Sequence, residues 1–154
     1  ALFEAGGLRP SDRPPELDGT LVEVLLRPHV CYAPALRALA AGGMLRGAAH
    51  ITGGGIPGNL PRILPANVDA VIDRRGWSVP PIFRMIARHG DVDEEEMFHA
   101  FNMGVGMIAA VPSEVEEAAI ATLSGAGVHG FHAGRVTEGE GRVRFEPGAD
   151  HQNG

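Results

Sequence analysis

The stretch His50-Ile-Thr-Gly-Gly-Gly55 follows a short apolar run and precedes residues 56–64, which have the pattern of a helix. Three consecutive glycines are costly in a regular element, because glycine loses more backbone freedom on folding than other residues. They suit a loop that needs positive φ values or approaches a ligand closely. At the start of a helix, such a loop also presents N–H groups to an anion. The pattern predicts a strand, a loop and a helix, with the loop either binding phosphate or serving only as a tight packing turn.

A second glycine motif, Asn102-Met-Gly-Val-Gly106, opens an apolar run that we predict to be a buried strand over residues 103–111. Glycines weaken a strand, so two of them at its start indicate a bulge or the close approach of another backbone or a ligand. On the residues alone, a purely structural turn and a ligand contact fit this motif equally well.

The order of predicted elements indicates the fold class. Helix signals include Thr20 as an N-cap, Pro34 in a first turn, and Asp93 with Glu96 as a capping box. The predicted helices cover about 20–26, 34–41, 56–64, 80–89, 93–100 and 113–123, and the predicted strands cover 46–52, 68–73, 103–111, 129–137 and 142–147. Without the extra helices, the order is β-α-β twice with a trailing strand, which predicts a ferredoxin-like-related α+β fold with one mixed, largely antiparallel sheet and helices packed on it.

The length of 154 residues and the positions of the turn-forming residues predict one domain over residues 19–148. Prolines and acidic turn formers predict that residues 1–18 are an extended linker. The polar residues 149–154 predict a frayed tail. No signal peptide and no apolar run of about 20 residues is visible, so we predict a cytoplasmic protein without a membrane partner.

Charge and composition exclude several classes of partner and of binding site. The net charge is −6, which makes nucleic acid an unsuitable partner. All 13 basic residues are arginine, which excludes a phosphate-binding or Schiff-base lysine in this chain. The single cysteine, Cys31, excludes an internal disulfide and a thiolate zinc site, and its apolar neighbourhood predicts a core position. The pair His129 and His132 and the run Glu94–Glu96 lack the further ligands of a metal site, so no metal is predicted.

Several blocks resemble one enzyme family. His50-Ile-Thr-Gly-Gly-Gly55 with Asn59-Leu-Pro-Arg-Ile-Leu-Pro65, then Trp77-Ser-Val-Pro-Pro-Ile-Phe-Arg84, and finally Phe101-Asn-Met-Gly-Val-Gly-Met107 are similar to the C-terminal half of phosphoribosylformylglycinamidine cyclo-ligase, also called aminoimidazole ribonucleotide synthetase. The blocks occur in the family's order, and the resemblance covers the chain from about residue 2 to residue 136. One departure is Gly58, where the family usually has glutamate.

The resemblance implies an ATP-dependent ligase of purine biosynthesis. Such an enzyme activates the formyl amide oxygen of formylglycinamidine ribonucleotide by phosphorylation, and a nitrogen of the same molecule closes the imidazole ring. It implies that ATP and Mg²⁺ are bound mainly by an N-terminal half absent from this chain, that the isolated chain is inactive, and that the full-length enzyme is a homodimer with a small ribonucleotide substrate.

The same resemblance implies the site residues. The backbone of Gly53, Gly54 and Gly55 would bind an anion, with polar contacts from Thr52 and Asn59, and Asn102 and Gly104 would lie near the substrate. His50 is the candidate for proton transfer, although a structural histidine fits equally well. Two rivals stay open: a non-catalytic phosphate-binding or interaction module, and a related synthetase of the selenophosphate or thiamine phosphate type.

Overall fold

The secondary structure follows the predicted order closely. The structure, a computed structural model, describes residues 1–146. Its helices are α1 Leu21–Leu25, α2 Ala33–Ala41, α3 Gly55–Asn59, α4 Pro81–Gly90, α5 Glu94–Ala100 and α6 Glu116–Gly125. Its strands are β1 Gly47–His50, β2 Val68–Asp73, β3 Met107–Ala110, β4 Gly134–Glu138 and β5 Val143–Glu146, and short 3-10 helices cover Leu60–Ile63, Arg74–Gly76 and Ser113–Val115.

The strands form two small sheets. β1 and β3 pair antiparallel, while β2 lies between β4, which is antiparallel to it, and β5, which is parallel. The predicted α+β class with mixed, largely antiparallel strands is confirmed, but the strands do not form the single sheet that we expected. The reason lies in the core, because Ala49 of β1 packs with Ala70 and Ile72 of β2 in one buried cluster. These strands therefore meet through side chains and not along a hydrogen-bonded edge.

Local sequence signals set most helix starts. Thr20 caps α1 by accepting from the Glu23 N–H, and the Glu23 side chain accepts in return from the Thr20 N–H, so the capping box is complete. Asp93 accepts from the Glu96 N–H at the start of α5, at 2.8 Å. Pro34 lies in the first turn of α2, as predicted.

Two strand predictions are too long. The strand expected over 103–111 is only β3, because Met103 and Gly104 have φ values of 50° and 96° and form a turn. The strand expected over 129–137 begins only at Gly134, as β4. In both cases the predicted strand begins several residues before the backbone pairing starts.

Residues 1–18 contain no helix or strand, yet they are packed against the domain. Leu2 is buried in a cluster with Leu21 of α1 and Met85 of α4. Glu16 accepts a hydrogen bond from Arg88 of α4 at 2.7 Å. The linker boundary at residue 18 and the domain end at residue 148 stay predictions, and the predicted tail 149–154 lies outside the described residues.

Asp69 of β2 joins the strands of the three-stranded sheet. Its Oδ1 accepts from the N–H groups of Glu140 and Arg142, at 2.8 and 2.9 Å, in the turn between β4 and β5. Its Oδ2 lies 2.7 Å from the Arg144 guanidinium. These two backbone hydrogen bonds, with the charge of Arg144 as a smaller cause, lower the pKa of the Asp69 carboxyl. The ionised carboxylate therefore stabilises the β4–β5 turn.

We predict that Asp69→Asn lowers the melting temperature at pH 7, because the neutral amide keeps an oxygen for the turn but turns an NH₂ group towards Arg144. A carboxyl with a lowered folded-state pKa contributes stability above its ordinary pKa of 3.8, and the contribution is lost as the pH falls through the lowered value. Thermal melts should therefore show the gap between variant and wild type closing below pH 3.8. Asp91→Asn, at an exposed position with φ 50° that asparagine tolerates, is the control and should show no gap at either pH.

Candidate functional site

The two glycine motifs meet at one end of the two-stranded sheet. His50 is the last residue of β1 and lies opposite Met107, the first residue of β3. One residue further, the Ile51 N–H donates to the Gly106 carbonyl at 3.0 Å. The loop that follows β1 and the turn that precedes β3 are therefore neighbours, so the structure brings together motifs about fifty residues apart.

The three glycines of the first loop have different surroundings. Gly54 and Gly55 have φ values of 93° and 59°, in the left-handed region. A Cβ atom at Gly55 would lie 2.0 Å from the Phe98 carbonyl oxygen, whereas a Cβ at Gly53 would meet nothing within 4 Å. Gly55 is buried and lets the loop lie against the end of α5, while Gly53 and Gly54 are exposed. Close packing against α5 therefore explains the glycine at position 55. It does not explain Gly53 and Gly54, which face outward.

Asn59 supports this loop from the interior of the domain. Its side chain is buried, with 4% exposed, and its Nδ2 donates to the carbonyls of Gly55 at 2.8 Å, Gly53 at 3.2 Å and Thr52 at 3.4 Å. The Asn59 amide thus binds three carbonyls of one turn. These contacts order a loop whose glycines would otherwise leave it flexible. Gly58, at the position where a glutamate was expected, is exposed, and a Cβ there would meet nothing within 4 Å.

The second motif is a tight turn. The Asn102 Oδ1 accepts from the Gly104 N–H at 3.0 Å, and its carbonyl accepts from the Val105 N–H at 2.9 Å. Gly104 has a positive φ, and a Cβ there would lie 2.5 Å from Cδ of Pro80. The main-chain carbonyl and the side-chain Oδ1 of Asn102 therefore hold the turn that forms this wall of the site.

A cluster that the motifs did not reveal flanks His50. The His29 Nε2 lies 3.0 Å from the His50 Nε2, and the His29 ring meets the Tyr32 ring edge-on at 5.4 Å between centroids. Tyr32 is packed against Gly106, where a Cβ would lie 2.1 Å from the Tyr32 hydroxyl. Burial raises the pKa of the Tyr32 phenol.

His29 and Tyr32 lie between α1 and α2, and the only hint of their role in the sequence is the pair of prolines, Pro28 and Pro34, that brackets this segment. Cys31, predicted to be in the core, is instead exposed. The inward position of the segment is taken by the larger ring of Tyr32, which packs against Gly106.

An apolar cavity of about 460 Å³ extends behind this cluster. It lies between the two sheets, α2 and α6, and Tyr32 and Gly106 form part of its wall. At its rim the His132 Nδ1 lies 2.5 Å from the Glu116 carboxylate. Within residues 1–146, no three His, Cys, Asp or Glu side chains lie close enough to hold a metal ion. No helix in the described part of the chain is long and apolar enough to cross a membrane.

This arrangement of small mixed sheets and covering helices places the chain among the α+β domains. Over residues 2–146 it matches the family described as AIR synthase related protein, C-terminal domain, and the chain belongs to that family. The resemblance noted in the sequence is thereby confirmed.

The relatives agree with this assignment. The chain is 46% identical over 142 residues to a phosphoribosylformylglycinamidine cyclo-ligase of Myxococcus xanthus, covering 92% of this chain and 41% of the relative. It is 44% identical, with the same coverage, to the enzyme of that name from Shouchella clausii. The chain thus spans about two fifths of the length of these curated relatives.

Solved structures show the same fold. The crystal structure of E. coli HypE, a hydrogenase maturation protein, matches with a TM-score of 0.57 and 18% identity, over 82% of this chain and 41% of that one. The crystal structure of tt0281 from Thermus thermophilus matches with a TM-score of 0.56 and 22% identity, over 83% of this chain and 39% of that one. At these identities the likeness concerns the fold alone.

Proposed function

We propose that this chain is the C-terminal part of an ATP-dependent cyclo-ligase that closes the imidazole ring of formylglycinamidine ribonucleotide, giving aminoimidazole ribonucleotide. The observation that carries the proposal is the 46% identity to a cyclo-ligase over 92% of the chain. The geometry supports it, because the loops that the family resemblance marks as substrate contacts meet at one end of β1 and β3.

Each site residue has a role in this proposal. The outward-facing backbone of Gly53 and Gly54, with the exposed Thr52, contacts the substrate phosphate. Gly55 and Asn59 hold that loop in shape from inside, and Asn102 and Gly104 form the neighbouring wall. His50, exposed at the end of β1, takes a proton from the nitrogen that closes the ring, because a neutral imidazole has a ring nitrogen that can accept one.

The described residues do not fit a Mg²⁺–triphosphate site. They bring no three carboxylate, histidine or cysteine ligands together, and the sequence contains no lysine. We therefore place ATP and Mg²⁺ on the remaining part of a longer protein, and the steps derived for this chain do not pass through them.

Further parts of the proposal concern assembly. A homodimeric longer protein, a cytoplasmic location and the lack of a nucleic-acid partner stay predictions. Exposed apolar side chains on α1 and the segment after it, Val22, Leu25, Leu26 and Val30, favour a surface that another polypeptide covers. The same patch is what an interaction module without catalysis would show, so activity has to separate the two.

The activity test compares the 154-residue chain with a longer protein that contains it. We expect no release of ADP from the chain alone, and release that depends on formylglycinamidine ribonucleotide from the longer protein. In the longer protein, His50→Ala should lower kcat by about 100-fold if His50 moves a proton. Gly54→Val should raise the KM for the ribonucleotide and lower kcat, because a side chain intrudes where φ is 93°.

His129→Ala is the matched control, since His129 is an exposed histidine beside Phe131 that lines the cavity but is not one of the proposed site residues. Its kcat should stay within about twofold of the wild type. Substrate-dependent ADP release from the chain alone would contradict the proposal that ATP and Mg²⁺ bind to the remaining part of a longer protein. A longer protein that binds the ribonucleotide without turnover would favour the binding-module alternative.

A further inference from the structure

The contact between His29 and His50 constrains which nitrogen of His50 is free. Their Nε2 atoms are 3.0 Å apart, the ring centroids are 5.2 Å apart, and the rings are tilted by 37°. A neutral imidazole has one N–H donor and one nitrogen acceptor, so this contact requires one ring to donate and the other to accept. In either arrangement the Nε2 of His50 is occupied. Nδ1 can accept a proton from a bound molecule only when the His50 Nε2–H donates to the His29 Nε2, because the opposite arrangement places the hydrogen of neutral His50 on Nδ1.

His29 is itself held in place. Its ring meets the edge of Tyr32 at 5.4 Å, and the Tyr32 hydroxyl is packed against Gly106 in the turn before β3. His50 is fixed from the other side, because its backbone lies opposite Met107 in the β1–β3 pair. The position of the His50 ring is thus set by two elements, the sheet through its backbone and the start of α2 through Tyr32 and His29.

We propose that His29 is a positioning residue for His50. By accepting from the His50 Nε2–H, it holds His50 in the tautomer whose Nδ1 is the acceptor and restricts the orientation of the ring, so that Nδ1 can take the proton released during ring closure. The inference rests on the proposed function for its catalytic consequence, but the fixed tautomer is a property of the chain itself. The quoted family blocks and the glycine motifs do not include His29, which lies 21 residues before His50.

The first test needs no activity. Side-chain ¹⁵N NMR of the 154-residue chain reports the tautomer of each histidine ring. We expect the His50 ring to show mainly the Nε2–H tautomer in the wild type, and a dominant Nδ1–H tautomer would contradict the proposal. His29→Gln, whose side-chain amide can hydrogen-bond at the same place, should retain it, whereas His29→Phe should give a mixture. His129→Phe is the control and should leave the His50 signals unchanged. An unchanged His50 tautomer in His29→Phe would overturn the proposal.

The second test uses the longer protein. We expect His29→Phe to lower kcat by about tenfold with little change in KM, and His29→Gln to restore kcat to within about twofold of the wild type. If His29→Gln is as impaired as His29→Phe, a second imidazole is required and positioning is the wrong explanation. If His50→Ala has no effect on turnover, the proposed role of His50 fails, while the NMR result still decides whether His29 positions the ring.

Discussion

Gly55→Ala is expected to destabilise the chain by at least about 3 kcal/mol, a large part of the roughly 5–15 kcal/mol by which a domain is ordinarily stable. The added Cβ would lie 2.0 Å from the Phe98 carbonyl oxygen and 3.0 Å from that of Phe101, and these backbone atoms belong to α5 and its C-cap. The φ of 59° adds a strain of about 1 kcal/mol for a residue with a side chain. The loop and the helix would have to separate, which would open the core around Ile56 and Phe98.

Gly53→Ala, two positions earlier, is the matched control. A Cβ there meets nothing within 4 Å, and Gly53 is not among the residues with positive φ. Its free energy of unfolding, measured by urea titration, should lie within about 0.5 kcal/mol of the wild type. Equal transition midpoints for the two variants would show that the loop does not lie against α5 as described.

The elements that the sequence predicted well depend on neighbours within about four residues. Thr20, Pro34 and Asp93 each mark a helix start inside the first turn, and the structure shows all three starts. The complete capping box lies at Thr20, whereas the box predicted at Asp93 is formed only by the bond from the Glu96 N–H. Such signals are local, so one sequence is sufficient to read them.

The errors concern features set by contacts between distant residues. The run from Met103 reads as a strand because its residues are apolar, yet the bond from the Gly104 N–H to Asn102 closes a turn before pairing starts. That Asn-Met-Gly pattern was a signal for a turn, and hydrophobicity concealed it. The division into two sheets depends on β1 and β2 facing each other across the core, which no local pattern specifies.

For the candidate site, the family resemblance placed both glycine loops near the substrate, but it did not predict which residues support the loops and which face outward. Gly55 is explained by the end of α5, and Asn59 by three carbonyls of its own loop. His29 carried no motif at all, because its importance comes from a partner 21 residues away. The sequence therefore indicated the loops of the candidate site, while the division between supporting and outward-facing residues required the structure.

Asn59→Asp is expected to destabilise the chain by about 3–5 kcal/mol at pH 7, although the two side chains have nearly the same shape. The exchange replaces an NH₂ donor by a carboxylate oxygen at a position that is 4% exposed. That oxygen would face the carbonyls of Gly55, Gly53 and Thr52, now at 2.8–3.4 Å from Nδ2. Three hydrogen bonds would be replaced by repulsion between oxygens, and the loop that carries Gly53 and Gly54 would lose its support.

The pH dependence separates this charge effect from a simple loss of packing. Burial and the facing carbonyls raise the folded-state pKa of the introduced carboxyl above its unfolded value of about 3.9. The penalty is therefore absent at low pH, where both states are protonated, and it grows as the pH rises through the raised pKa. The difference in unfolding free energy from the wild type should shrink between pH 7 and pH 4, since a protonated carboxyl donates one hydrogen bond. Asn67→Asp, at an exposed site in the turn before β2, should remain within about 0.5 kcal/mol of the wild type throughout. A loss of stability in Asn59→Asp that is the same at both pH values would mean that the Asn59 amide does not hold the loop carbonyls.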